Sequence, residues 1–118
     1  MSYDIQFCVK AEGVDDWVNT GYTTANITWN VRDIITKSTG LEWNNEANNG
    51  LCSEVMPKIK AGRDELIKNG MKYKKYEPKN GWGSVENTID FFDELLKDWC
   101  IMQYIRPNLA KVATFWIM

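Results

Sequence analysis

The chain of 118 residues contains no histidine. That excludes Ser-His-Asp and Cys-His nucleophilic catalysis, zinc sites with imidazole ligands, and the commonest near-neutral general base. Cysteine is scarce and dispersed: Cys8, Cys52 and Cys100 show no CxxC or zinc-knuckle spacing. An odd number of isolated thiols in a chain this long reads as reduced cysteine. Cys8 lies between Phe7 and Val9, and Cys100 between Trp99 and Ile101, settings in which cysteine is expected to be a small buried hydrophobe. No run of residues approaches the ~18 apolar side chains of a membrane span. The Met-Ser-Tyr-Asp-Ile start lacks a basic flank and an apolar stretch, so no secretory signal is read and the expected compartment is the cytoplasm. Asn26-Ile27-Thr28 matches the glycosylation sequon, which has no meaning without a secretory route. An excess of one charge is also missing. Fourteen basic and sixteen acidic residues leave a net charge of −2, neither a nucleic-acid signature nor an acidic tail.

What is present suffices for a core. Hydrophobic residues make up 44% of the chain, with six Trp, five Tyr and five Met, and residues 1–118 read as one domain. Residues 3–10 alternate Tyr3, Ile5, Phe7 and Val9 with more polar neighbours, the period of a strand with one buried face. Residues 12–16 read as a loop, and 17–24 as a second strand weakened by Gly21. The chain is then expected to leave the strand near Ala25, cap on Asn26 or Thr28, and run helical to about Ser38, with Gly40 as terminator. Residues 41–49 are rich in asparagine and read as a loop. Ser53 looks like the N-cap of a second helix, with Leu51, Val55, Ile59 and Leu66 on its apolar side, Pro57 tolerated near the start, and Asn69-Gly70 as the stop. Residues 71–82 suggest a short strand or extended loop. A third helix is expected from Ser84 to about Ile105, with Val85, Ile89, Phe92, Leu96 and Trp99 as one stripe, widened by Phe91, Leu95 and Met102. Ser84 caps it and Arg106-Pro107 ends it. Residues 112–118 read as a closing strand paired with the first. The sum is an α+β fold: a small antiparallel sheet including both terminal strands, packed against about three helices.

Three segments taken in order, Met1-Ser2-Tyr3-Asp4-Ile5, Asn26-Ile27-Thr28-Trp29-Asn30 and the N-capped helix over residues 83–96, resemble a group of small uncharacterised phage and prophage proteins. The group typically has Tyr where Trp29 stands, a glycine before the asparagine of the late helix, and a Pro-Asp-Gly-Trp tail in place of Phe115-Trp116-Ile117-Met118. The resemblance implies a phage-associated setting and nothing catalytic.

Several groups of residues could carry chemistry. Glu86, Asp90, Asp93, Glu94 and Asp98 share one side of the third helix, opposite its apolar stripe, and read as a solvated face rather than a metal or acid/base site. Lys72, Lys74, Lys75 and Lys79 interleave with Tyr73 and Tyr76, a combination suited to single-stranded nucleic acid or phosphate. An edge strand protected by lysines is the preferred reading. Gly81-Trp82-Gly83-Ser84 leads into a helix whose free amides suit an anion, but GxGxxG and GxxxxGK[ST] motifs are absent and a turn plus cap is the preferred reading. Asn26, Thr28, Trp29, Asn30 and Arg32 could line a pocket, or simply satisfy backbone groups around the first helix. Trp43 or Trp82, if exposed, would anchor a partner.

No catalytic residue, metal ligand or cofactor is assigned. The expected function is that of a non-enzymatic cytoplasmic binding protein of phage or prophage type. Its expected partner is a host or viral protein rather than nucleic acid or a membrane, and inhibition of a host system is one such role. The alternative is a small-ligand or nucleotide-binding domain using the Gly81–Ser84 turn with Lys72, Lys74, Lys75 and Lys79. A carboxylate-based hydrolase comes third.

Overall fold

The computed structural model describes residues 1–13, 15–44 and 47–118. Val14, and Asn45 with Glu46, belong to the two segments expected to be loops and lie outside the described residues. In chain order the elements are β1 (Ser2–Lys10), β2 (Trp17–Asn19), β3 (Asn26–Thr28), α1 (Arg32–Thr39), β4 (Ala47–Leu51), α2 (Cys52–Tyr73), α3 (Val85–Ile105), α4 (Pro107–Val112) and β5 (Thr114–Ile117).

The antiparallel sheet runs β2-β1-β5-β4. β1 buries Tyr3, Ile5 and Phe7, as its period of two requires. Along one edge it pairs with β3 at its start and β2 at its end. Along the other it pairs with β5, Ile5 opposite Ile117 and Phe7 opposite Phe115. The strands at the two ends of the chain are thus neighbours, as their shared apolar character suggested. β4, which begins in the stretch read as a loop and runs on through Leu51, read as part of the second helix, closes the far side of β5. Its Asn-Asn-Gly sequence has poor strand propensity, and pairing with β5 overrides it.

The helices cover one face of the sheet. A 3-10 turn over Trp29–Val31, capped by Thr28, precedes α1, and Gly40 ends α1 in the left-handed conformation (φ 74°), as expected for that residue. α2 begins at Cys52 rather than after Ser53. Its first amide donates to the Ala113 carbonyl at 2.9 Å, which ties the helix start to the end of α4, and no side chain caps it. Nor does α2 stop at Asn69-Gly70. Asn69 leaves helical geometry (φ −125°, ψ 31°) and the helix resumes to Tyr73, because the Tyr73 ring is buried and holds the last turn against the core. Residues 71–82 therefore form no strand: they contain the end of α2 and a 3-10 turn over Lys74–Tyr76, and the edge-strand reading of the lysines falls with it.

α3 is the helix expected, capped by Ser84, but its buried line is rotated. Phe91, Leu95 and Met102, read as widening the stripe, are inside with Val85, Phe92 and Trp99, and Thr88 joins them, while Ile89 and Leu96 are only half-buried. Pro107 not only ends α3 but begins the unanticipated α4, where a missing N–H costs nothing. Trp43, considered above as a surface anchor, is completely buried, its ring between Tyr3, Phe91 and Phe115 at 6.0, 5.9 and 5.8 Å. Cys8 and Cys52 are buried, but Cys100 is exposed, because Trp99 and Met102 take the inward positions of that turn. Among the described residues, no helix is long and apolar enough to cross a membrane.

Candidate functional site

Two of the regions singled out in the sequence meet in space. Asn26 and Thr28 of β3 and the Gly81-Trp82-Gly83 turn line one solvent-open depression of about 460 Å³, completed by Asn87, Asp90 and Glu94 of α3. Gly83 makes the meeting possible. Its φ is 121°, and a Cβ there would stand 2.5 Å from Val31 Cγ1 and 3.1 Å from Thr28 Cγ2, so only glycine lets the turn close on β3. Trp82 stands over this depression 71% exposed. Its amide donates to Asn80 Oδ1 at 2.9 Å, fixing the turn.

Most polar groups of the Asn26–Arg32 cluster are engaged within the protein. Asn26 Nδ2 donates to Asp4 Oδ1 at 2.6 Å and to Ser2 Oγ at 2.9 Å. Thr28 Oγ1 accepts from the Asn30 amide and side chain at 3.4 and 3.2 Å. Trp29 Nε1 donates to the Ser2 carbonyl at 2.9 Å, with its ring against Tyr3. Arg32 Nε donates to the Trp43 carbonyl at 2.7 Å and its guanidinium to Asn44 Oδ1 at 3.1 Å. Trp29, Asn30 and Arg32 do not line the depression; they hold the junction that shapes it.

The start of α3 is equally self-contained. Ser84 Oγ accepts from the Asn87 amide at 3.0 Å and donates to Asn87 Oδ1 at 3.0 Å. The Val85 amide donates to the Glu77 carboxylate at 2.9 Å. Glu77 thus takes the place a phosphate would occupy at this helix terminus. Beside it the depression presents Asp90 and Glu94 rather than lysines, a field that disfavours anions.

The lysines lie elsewhere. Lys72 and Lys74, with Lys68, border a separate groove of about 580 Å³ between the kinked end of α2 and the first turns of α3. Its apolar surface comes from Ile67, Gly70, Met71, Val85 and Ile89. Met71 is 82% exposed and Ile67 53%. Lys74 is neutralised by Glu86 at 2.7 Å and Glu77 at 3.7 Å. The Glu86 hydrogen bond holds its ammonium above the ordinary lysine value, and Lys74 in turn holds the Glu86 carboxyl below its own. Lys72 Nζ lies 5.9 Å from the Tyr73 ring centre and Lys75 Nζ 5.2 Å from that of Tyr76. Tyr73 is buried, its hydroxyl donating to Glu65 at 3.1 Å and pushed up in pKa by that burial first and by Glu65 second. The two tyrosines therefore offer no open stacking platform. Lys79 is exposed and lines neither concavity.

The acids of α3 serve several ends. Arg63 Nε donates to Asp93 at 2.6 Å, Lys74 holds Glu86, and Asp98 accepts from Thr23 Oγ1 at 2.8 Å. Asp98 is half-buried, unlike the water-facing position expected of it, while the other four are exposed. Sequence reasoning overlooked Glu77, Asn87, Ile67 and Met71. The last two carried a signal: they are apolar, four residues apart, and outside the stripe assigned to the core. The chain matches no family model, no curated protein and no solved structure.

Proposed function

We propose that this chain is a non-enzymatic binding protein of phage or prophage type that works in the host cytoplasm by contacting a protein of the host or the virus. The observation carrying this reading is the groove at the end of α2, where Ile67 and Met71 stand exposed together beside lysines. Large apolar side chains gathered in a concavity, rather than scattered, mark surfaces that other molecules cover. Trp82, exposed on the neighbouring turn, is of the residue type that dominates protein contacts.

A photo-crosslinking amino acid placed at Met71, at Trp82 and, as control, at Lys37 tests this in host cells producing the chain. Discrete protein adducts from Met71 or Trp82 but not from Lys37 are expected. Absence of any adduct, together with an empty pull-down at physiological salt, would overturn the reading.

One observation favours a second reading, that of a small-ligand site. The depression beneath Trp82 gathers an aromatic wall with Asn26, Thr28, Asn87, Asp90 and Glu94, a set suited to neutral or cationic ligands rather than to nucleotides. Thermal shift against nucleosides, nucleotides and saccharides tests it, since a specific ligand raises stability by mass action. A hit must vanish in Trp82→Ala to support the site.

A further inference from the structure

Resting on the protein-binding reading, we infer that the groove between α2 and α3 docks a short amphipathic segment of a partner protein, apolar on one side and acidic beside it. Shape comes from the kink at Asn69, which turns the last helical turn and leaves a trough floored by Gly70, Val85 and Ile89. Ile67 and Met71, four residues apart on either side of that kink, present two exposed apolar side chains along its wall to those of a second helix. Methionine, unbranched and polarizable, adapts to such partners.

Charge selects the partner's sign. The acids near the groove have partners of their own: Asp64 pairs with Arg63 and Lys60, Glu77 and Glu86 share the single ammonium of Lys74, and Glu65 accepts from the neutral Tyr73 and Asn69. Among the described residues, Lys68, Lys72 and Lys75 form no ion pair. Of these, Lys68 and Lys72 line the apolar trough, in a chain whose net charge is −2, and carboxylates flanking an apolar stripe complement them. Single-stranded nucleic acid fits less well, because the local tyrosines are buried or capped by lysine. An anionic membrane fits less well too, because the apolar surface is concave rather than protruding.

The test is a display library of random peptides about 15 residues long, roughly 22 Å as a helix, panned on the intact folded chain. Enriched sequences should combine acidic with aliphatic or aromatic residues and shift the amide resonances of residues 67–72 and 86–89. Binding should weaken about tenfold or more in the Lys68→Glu/Lys72→Glu double variant and in Met71→Glu, and persist in Lys68→Arg/Lys72→Arg. Raising NaCl from about 50 to about 500 mM should weaken it as well. Circular dichroism of each variant separates lost contact from lost fold, and the Arg pair keeps the test meaningful if a Glu variant unfolds. Enriched peptides that are basic, or that shift resonances around Trp82 instead, overturn the groove while leaving the protein-binding reading intact. No enrichment overturns it, as does stronger binding of an oligothymidylate or of phosphatidylglycerol vesicles to the same amides. Self-association abolished by Met71→Glu would assign the groove to a second copy and overturn it too.

Discussion

Gly83 shows how a single residue can place a site. With φ in the left-handed half of the map and both Val31 and Thr28 pressed against the missing Cβ, Gly83→Ala should destabilise the fold by about 1–3 kcal/mol. Denaturant melts would measure that loss, and an unchanged midpoint would show that the turn relaxes freely. Ser84→Ala removes the cap of α3 and should cost about 1 kcal/mol. The thiols provide a second test at this scale. Cys100 is exposed, whereas Cys8 and Cys52 are buried, and burial pushes the Cys52 thiol up to about 12. Under native conditions Ellman's reagent should therefore titrate the Cys100 thiol alone, the other two reacting only after unfolding. Here the sequence misled: flanking Trp99 and Ile101 made Cys100 look buried, because apolar neighbours in the chain say nothing of the helix face on which a residue falls. Trp43 and Trp82, both between regular elements and alike in the sequence, ended at opposite extremes of exposure, because contacts with distant segments rather than chain neighbours bury the first.

Elements were legible where their own period was strong. β1 alternates, α3 carries both a cap and a wide apolar stripe, and β5 is β-branched and aromatic, so all three stood out. β4 and α4 did not, since tertiary pairing with β5 and a proline start decide them rather than propensity. The Asn69-Gly70 pair looked like a stop because both residues favour turns, but the buried Tyr73 carried the helix past it. The candidate site was half legible: Asn26, Thr28 and Trp82 were named from polar and aromatic character, whereas their convergence depends on contacts between distant segments. Gly62 tests how the helices approach one another. A Cβ there would meet Thr39 Cγ2 at 2.5 Å and the Ser38 carbonyl oxygen at 3.3 Å, so α1 and α2 touch through this residue. Gly62→Ala should therefore destabilise by about 1–3 kcal/mol despite the better helix propensity of alanine. A stabilised variant would show that α1 shifts without penalty.

Across the whole molecule the missing histidine shapes the pH response. Glu86 and Asp64 are held below the ordinary carboxylate range by Lys74 and Arg63. What they contribute is present above their unfolded-chain values and is lost as pH falls through the folded ones, in the acid region. Both are surface pairs, so the loss should be modest. The Cys52 thiol has the opposite sign. Its folded value is raised to about 12, so its contribution is complete below about pH 9 and disappears as pH climbs from there. Melting temperature should be nearly flat between about pH 5 and 8. It should fall at alkaline pH, and less steeply in Cys52→Ala than in the native chain. A step near pH 6.5 would contradict this account.

The position of β5 has a consequence for synthesis. This strand lies between β1, made first, and β4, so the two halves of the sheet have no common edge until residues 114–117 leave the ribosome. A nascent chain stalled before that point carries two unpaired strand edges and lacks the Phe115 ring that packs on both Phe7 and Trp43, the kind of partly formed sheet that holdase chaperones bind and that aggregates when they are scarce.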